Sequence, residues 1–306
     1  MLYTGKSILD VANENNFAIP AFNISDWAMF NGIIDISEEL SAPVIVAIHP
    51  DEVSHITTDL IAAMHSRAHR ASVPVAIHWD HGGTYEQMIT AIKAGFTSVM
   101  IDASLLPFDE NVALTRKVVE AAHIVGVSVE GEVGTIGPRD PKTAEELADI
   151  VYTTPAEAAR FVADTGVDFL AVAVGTCHGV YPAGVAPKLK LELIEEIRDA
   201  TSVPLVLHGG SGAPDDEVSQ SVTRGVAKVN ISADMKLAYF ARLREVLEDP
   251  KHREPHDIYP PALDAVRDVV RHKVQVFGGS NTAHYYGVEG AQDFRDSWVG
   301  APVLEH

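Results

Sequence analysis

The chain has 306 residues, 46% hydrophobic and 22% charged, the balance of a soluble globular protein. A formal charge of -20 excludes nucleic acid and anionic membrane surfaces as expected partners, since both need basic patches, but leaves room for a small anionic substrate held at a local site. No run approaches the ~18 apolar residues of a membrane span, residues 1–6 lack the apolar segment of a secretion signal, and the lone Cys177 excludes an intramolecular disulfide, so the expectation is a cytoplasmic enzyme.

Short continuous apolar runs occur at 18–22, 43–48, 74–77, 98–101, 127–129, 169–174, 204–207 and 227–231. Runs of this kind suit strands buried on both faces, as in a parallel sheet. Helical periodicity fills 27–40, 52–70, 84–95, 109–124, 155–165, 190–200, 214–224 and 233–247. Eight strands each followed by a helix predict an α/β fold, a TIM (β/α)8 barrel, forming a single domain over 1–306 with a C-terminal helical extension at about 259–306. A doubly wound sheet is the alternative, but the turn after the first run, Asn23-Ile24-Ser25-Asp26, lacks the glycines of a phosphate loop. The long segment at 134–154 reads as a mobile lid, and 248–258 as a polar linker before a further helix at 260–275 that closes the barrel or meets another subunit.

Three runs open on Ser-x-Pro and end on histidine: His49, His78 and His208. Proline is tolerated at a strand start, so the histidines belong at the opposite, C-terminal ends, where a TIM barrel carries its active site. The chain holds fourteen histidines, and His81, His178 and His208 lie at or just past three strand ends, each followed by glycine. Singly each is an ordinary polar residue at a sheet rim. Jointly they suit zinc, which takes three protein ligands in catalytic sites and keeps one position open. His78 reads as a supporting neighbour, and His49 as a substrate contact or solvated rim residue. Asp80, beside His81, is placed for general acid/base work. Glu130 and Glu132 share one face of the fifth strand, and Glu132 is taken as the residue that orients a ligand histidine. His208-Gly209-Gly210-Ser211-Gly212 after the seventh strand, with Ser232 after the eighth, offers backbone N–H groups to a phosphate. Cys177 reads as a small packing residue.

Seven phrases in order then carry a resemblance along nearly the whole chain. They are Pro20-Ala21-Phe22-Asn23, His78-Trp79-Asp80-His81-Gly82, Ser98 to Ser104, Val129 to Gly134, Ala171 to Gly179, Leu207 to Gly212 and Lys228-Val229-Asn230-Ile231. The chain resembles the class II, zinc-dependent ketose-bisphosphate aldolases, the fructose- and tagatose-bisphosphate enzymes among them. The resemblance implies a homodimeric or homotetrameric barrel that splits a ketose 1-phosphate or bisphosphate into dihydroxyacetone phosphate and an aldehyde through a zinc-stabilised enediolate. It implies one Zn2+ per subunit on His81, His178 and His208, with room for a monovalent cation. Asp80 then moves the hydroxyl proton, Asn230 helps hold the enediolate, and Asn23, Gly179, Gly209, Ser211 and Ser232 surround the sugar phosphate.

The sequence departs from the family in three places. The family's loop glutamate is replaced in Gly137-Pro138-Arg139-Asp140-Pro141 by the shorter Asp140, with Glu145 or Glu146 as substitutes for the proton shuttle. Pro182 stands where many members carry a phosphate-pairing lysine. The second strand ends Ala47-Ile48-His49-Pro50-Asp51-Glu52 instead of in small residues. A metal-dependent sugar-phosphate epimerase or isomerase on the same barrel, and a non-catalytic aldolase subunit, are the competing expectations.

Overall fold

A computed structural model describes residues 1–137, 140–141, 150–182, 184–287 and 290–291. Eight parallel strands close into a barrel in chain order: β1 (Ile19–Asn23), β2 (Val44–Ile48), β3 (Val75–Gly82), β4 (Ser98–Ile101), β5 (Ser128–Val133), β6 (Phe169–Val172), β7 (Leu205–Leu207) and β8 (Val226–Ile231). β8 returns to pair with β1, so the closed barrel replaces the doubly wound alternative.

The alternation of side chains along each strand explains the continuous apolar runs. Outward residues such as Phe22, Val46, Ile77, Val99, Leu170, Leu207 and Val229 pack into one core with the surrounding helices. Inward residues, among them Ile19, Ala21, Ile45, Ala76, Met100, Phe169, Ala171 and Val206, form a second apolar cluster inside the barrel. Continuing the inward series by steps of two toward the C-terminal ends changes its character, from Ala21 to Asn23, Ala76 through His78 to Asp80, Met100 to Asp102, and Val206 to His208. The interior is thus apolar at one end and ionisable at the other.

A helix that the periodicity did not predict covers the apolar end. α1 (Gly5–Glu14) starts at Thr4, whose hydroxyl and that of Ser7 cap each other's backbone N–H groups. Its Ile8, Leu9 and Ala12 join the interior cluster, and the Lys6 N–H donates to Ser128 Oγ at 2.9 Å. Gly5 is required there, because a Cβ would lie 2.5 Å from Ser98 Oγ.

The helices α2 (Trp27–Glu39), α5 (Tyr85–Ala94), α6 (Phe108–Ile124), α7 (Pro155–Thr165), α8 (Leu191–Ala200), α9 (Asp215–Val222) and α10 (Ala233–Leu247) follow the expected spans closely. The single helix expected over 52–70 is two, α3 (Pro50–Ile56) and α4 (Asp59–Arg70), broken where Thr57 adopts φ 60°. A non-glycine residue in the left-handed region cannot continue a right-handed helix. α11 (Pro255–Val276) starts earlier than expected and packs on α10 and α2, closing the helical ring. The extension expected at 259–306 is described to residue 291 apart from 288–289, and 292–306 lie outside the described residues. No helix among the described residues is long and apolar enough to cross a membrane.

Candidate active site

A cavity of about 430 Å³ opens at the C-terminal ends of the strands. Among the residues lining it are Asn23, Asp80, His81, Asp140, His178, Gly179, His208, Gly209, Ser211, Asn230 and Ser232. The expected metal ligands, Asp80, Asp140, Asn230 and the expected substrate contacts therefore meet in one place, although more than two hundred residues of chain separate the first from the last.

Asp80 and His81 are consecutive, so an undistorted strand would point them to opposite faces. The β3–β4 register shifts between Trp79 and Gly82, and His81 takes φ 52°. This local bulge re-aims His81 toward the barrel mouth while Asp80 keeps its inward place. Non-glycine residues at such angles cost of order 1–3 kcal/mol and cluster at functional sites. Trp79 packs outward against Phe96, their ring centroids 5.3 Å apart, behind the site rather than across it.

The three expected ligand histidines converge. One nitrogen from each of His81, His178 and His208 lies within 4.8 Å of the others, and the ring centroids are 4.5 to 5.7 Å apart. His81 is oriented by Asp102, whose Oδ2 lies 2.9 Å from Nδ1, leaving Nε2 for the site. His208 is oriented by Glu130, with Nε2 2.7 Å from Oε1. His178 Nε2 is buried and has no hydrogen-bond partner among the described residues. A buried nitrogen left unsatisfied beside two oriented imidazoles fits the requirements of a bound cation.

The carboxylate that orients a histidine of this trio on β5 is thus Glu130, not Glu132 as expected. Alternation brought both inward, but Glu130 lies one layer deeper, level with the far nitrogen of His208. Its Oε2 also accepts from Lys228 Nζ at 2.7 Å, both side chains being fully buried. Burial works against this carboxylate, yet Lys228 and the His208 bond bring it down to about 2. His78 lies in the same layer, with Nδ1 2.7 Å from Ser98 Oγ and Nε2 3.4 Å from Glu130, so it supports the site from below. Replacing Lys228 by methionine strips the buried partner from Glu130, and the folded state should lose about 3–5 kcal/mol. Urea denaturation of the metal-free protein measures this, and an unshifted midpoint would remove Lys228 from the network.

Glu132 stands higher, in a second group with His81 and Asp102 whose ligand atoms also lie within 4.8 Å. Its Oε2 has no partner among the described residues, and burial together with the Asp102 charge pushes it up to about 8. Sequence inspection had assigned no role to Asp102. Its signal was available: it continues the inward series of β4 from Met100.

Asp80 is fully enclosed by donors. Asn23 Nδ2 donates to Oδ2 at 2.7 Å and Asn230 Nδ2 to Oδ1 at 3.0 Å. Burial disfavours its charge, but His81 and His208 outweigh that and hold it well below the usual carboxylate range. Asn23, expected to touch substrate, thus fixes the Asp80 carboxylate as well as lining the cavity. Burial opposes a proton on His81, but Asp80 and the Asp102 bond raise it to about 9, so cation binding there displaces a proton.

The phosphate-binding expectation rests on three turns. Gly179 and Gly209 take φ 88° and 65°, and a Cβ on either would collide with the Asp140 carboxylate or the Cys177 carbonyl. Ser211 Oγ accepts from the N–H groups of Ser232 and Asp234 at 3.1 and 3.3 Å, so Ser211 caps α10 while the Ser232 side chain makes no cap bond. Asp140 Oδ1 accepts from Val180 N–H at 2.8 Å, which ties the loop to the turn carrying Gly179. Glu145 and Glu146 lie outside the described residues. His49 caps α3 through Nδ1, and its ring centroid is 6.1 Å from that of His81. Cys177 is buried, its thiol pushed up to about 11 by burial, in keeping with packing.

Comparison with known proteins agrees with this geometry. The family model described as fructose-bisphosphate aldolase class-II matches residues 3–282. A fructose-bisphosphate aldolase of Staphylococcus aureus strain Mu50 is 40% identical over 288 residues, covering 92% of this chain and 99% of that protein. The corresponding Staphylococcus epidermidis protein is 39% identical over the same length and the same shares of each chain. The crystal structure of the YdjI aldolase from Escherichia coli K12 superposes with a TM-score of 0.82 at 35% identity, covering 92% of this chain and all of that one. A barrel whose mouth gathers three histidines, an enclosed aspartate and glycine turns, matched over this span, belongs to the class II fructose-bisphosphate aldolase family, and the protein is a lyase.

Proposed function

We propose that the protein is a zinc-dependent aldolase that reversibly cleaves a ketose 1-phosphate or ketose bisphosphate into dihydroxyacetone phosphate and an aldehyde. The observation that carries this is the convergence of His81, His178 and His208 beside Asp80, with the buried Nε2 of His178 lacking a partner. These residues would hold Zn2+. When bound, the ion supplies a Lewis acid that spreads the negative charge left when a carbon–carbon bond beside a ketone breaks.

The protein's own groups supply the rest. Asp80 is ionised and accepts the proton of the hydroxyl whose carbon becomes the new carbonyl. Asn23 and Asn230 fix both of its oxygens, so the carboxylate meets the substrate in one orientation. The backbone N–H groups around Gly179 and Gly209, with the hydroxyl of Ser232 at the start of α10, would hold the phosphate of the dihydroxyacetone half, since all three residues line the cavity.

The test is triose release. Protein stripped with a chelator should be inactive, and zinc should restore formation of dihydroxyacetone phosphate from ketose phosphates, read by a coupled reductase. A panel varying length, configuration and phosphate number identifies the substrate. Zinc-loaded protein that interconverts sugar phosphates without ever releasing the triose would instead establish an epimerase or isomerase.

A further inference from the structure

The cavity has a wall that the chemistry above does not use. His49, Asp51 and Glu52 line it from the β2 end and α3, and Lys236 lines it from α10. Glu52 Oε1 accepts from Lys236 Nζ at 2.7 Å, which joins α3 to α10. The pair is partly shielded, the Glu52 side chain 22% exposed and that of Lys236 31%. The carboxylate is therefore tied to another element through Lys236, a fixed feature of the wall rather than a loose surface charge.

The placement matters because of what remains once the first phosphate is seated. On the aldolase reading the turns after β6, β7 and β8 take the dihydroxyacetone phosphate half, which leaves the α3 and α10 wall of the same cavity for the aldehyde half. Among the described lining residues, the cations other than histidine are Lys236 and Arg244. Lys236 lies one turn into α10 from Ser232. Arg244 is exposed and eight residues further on, about 12 Å along the helix axis. A second phosphate on a six-carbon ketose would depend on Lys236, and Lys236 is already neutralised. The wall carries two carboxylates, Asp51 and Glu52, against that one cation, while His49 Nδ1 lies 3.3 Å from Asp51.

We propose that Glu52 is a specificity-determining residue that occupies Lys236, disfavours a phosphate on the aldehyde half, and selects a ketose 1-phosphate that yields an uncharged, hydroxylated aldehyde. This rests on the aldolase reading. A phosphate dianion would have to displace Glu52 from Lys236 and sit beside the released carboxylate, where like charges repel. A neutral polyol chain meets an ion pair whose free N–H donors and carboxylate lone pairs can bond hydroxyls with no charge to separate.

The experiment runs the reaction in the direction of synthesis with zinc-loaded protein, dihydroxyacetone phosphate, and either glyceraldehyde or glyceraldehyde 3-phosphate. The wild-type protein should favour glyceraldehyde in kcat/KM by about tenfold, the value of one charged contact. Glu52→Gln keeps the shape of the side chain but releases Lys236, and should move the ratio about tenfold toward the phosphorylated aldehyde. Adding Lys236→Gln to that variant should return the ratio to its starting value. A wild-type preference for the phosphorylated aldehyde overturns the proposal, and this comparison decides even where a variant fails to fold. A ratio unmoved in folded Glu52→Gln protein overturns it too. Solvent exchange of the dihydroxyacetone phosphate carbon-bound hydrogen, followed by NMR with no aldehyde present, separates the two levels. Exchange without discrimination between aldehydes removes this inference alone, whereas absence of exchange removes the aldolase reading and this inference with it.

Discussion

Replacing Asp80 by asparagine lowers kcat for triose release by about 10²–10⁴-fold, the usual worth of a positioned acid/base, while leaving the zinc content unchanged. The side chain keeps its size but loses the charge that takes up the proton. It also loses one acceptor, so the amides of Asn23 and Asn230 can no longer both donate to it. Asp80 Oδ1 stands 3.9 Å from His81 Nε2, beyond hydrogen-bond reach, so the three imidazoles that face one another keep their places. Steady-state kinetics together with metal analysis on the same preparation reads both quantities. An unaltered kcat would show that another group carries the proton, with Asp140 the first to examine, since it lines the same cavity. Asn23→Ala is the companion measurement, because it leaves the charge and frees only one oxygen of the carboxylate.

Replacing His178 by alanine abolishes stoichiometric zinc binding and activity together without weakening the fold. Loss of groups that merely orient a ligand costs 10–100-fold in metal affinity, so loss of a ligand itself should cost at least about 100-fold. The fold is spared because His178 Nε2 is a buried atom without a partner, and its removal leaves no other polar group orphaned. His208 provides the contrast. Its Nε2 is bonded to Glu130, so His208→Ala loses zinc and also strands a buried carboxylate oxygen, at about 1–3 kcal/mol of stability. His78→Ala should keep its zinc, since that ring bonds Ser98 through Nδ1 and lies one layer below the trio. Equilibrium dialysis and thermal unfolding on the three variants separate these outcomes. Zinc retained at one equivalent in His178→Ala would remove that residue from the metal site.

The network beneath the histidines explains why a strongly acidic chain keeps a lysine fully buried in its barrel. Lys228 neutralises Glu130, and Glu130 in turn fixes the tautomer of His208, with Nε2 as the donor and Nδ1 left toward the mouth. Asn230 Nδ2 approaches that Nδ1 at 3.3 Å, a contact a cation would take over. The layers of the barrel thus pass from apolar packing, through a compensated ion pair, to the histidines and Asp80 at the mouth.

Sequence alone determined the barrel, because strands buried on both faces must read as continuous apolar runs, and eight of them alternating with helices leave few ways to close a sheet. It also named most of the residues that the fold brings to one cavity. Histidine, aspartate and asparagine at the ends of buried strands are too polar for the core, and they recur at one end of every unit that carries them. The tertiary structure decided how those residues divide the work. Whether Glu130 or Glu132 holds a histidine depends on the stagger between neighbouring strands, which sets the layer each occupies and leaves no trace in the local pattern. Asp80 and His81 share a site only because of the bulge at β3, a backbone departure that strict alternation would deny. The α1 plug was missed because its apolar residues are few and serve a barrel floor assembled from distant strands. The pairing of Glu52 with Lys236 joins residues 184 positions apart. Periodicity reports which face of an element is buried, but contacts between elements are set by closure, stagger and local distortion, which only the folded chain specifies.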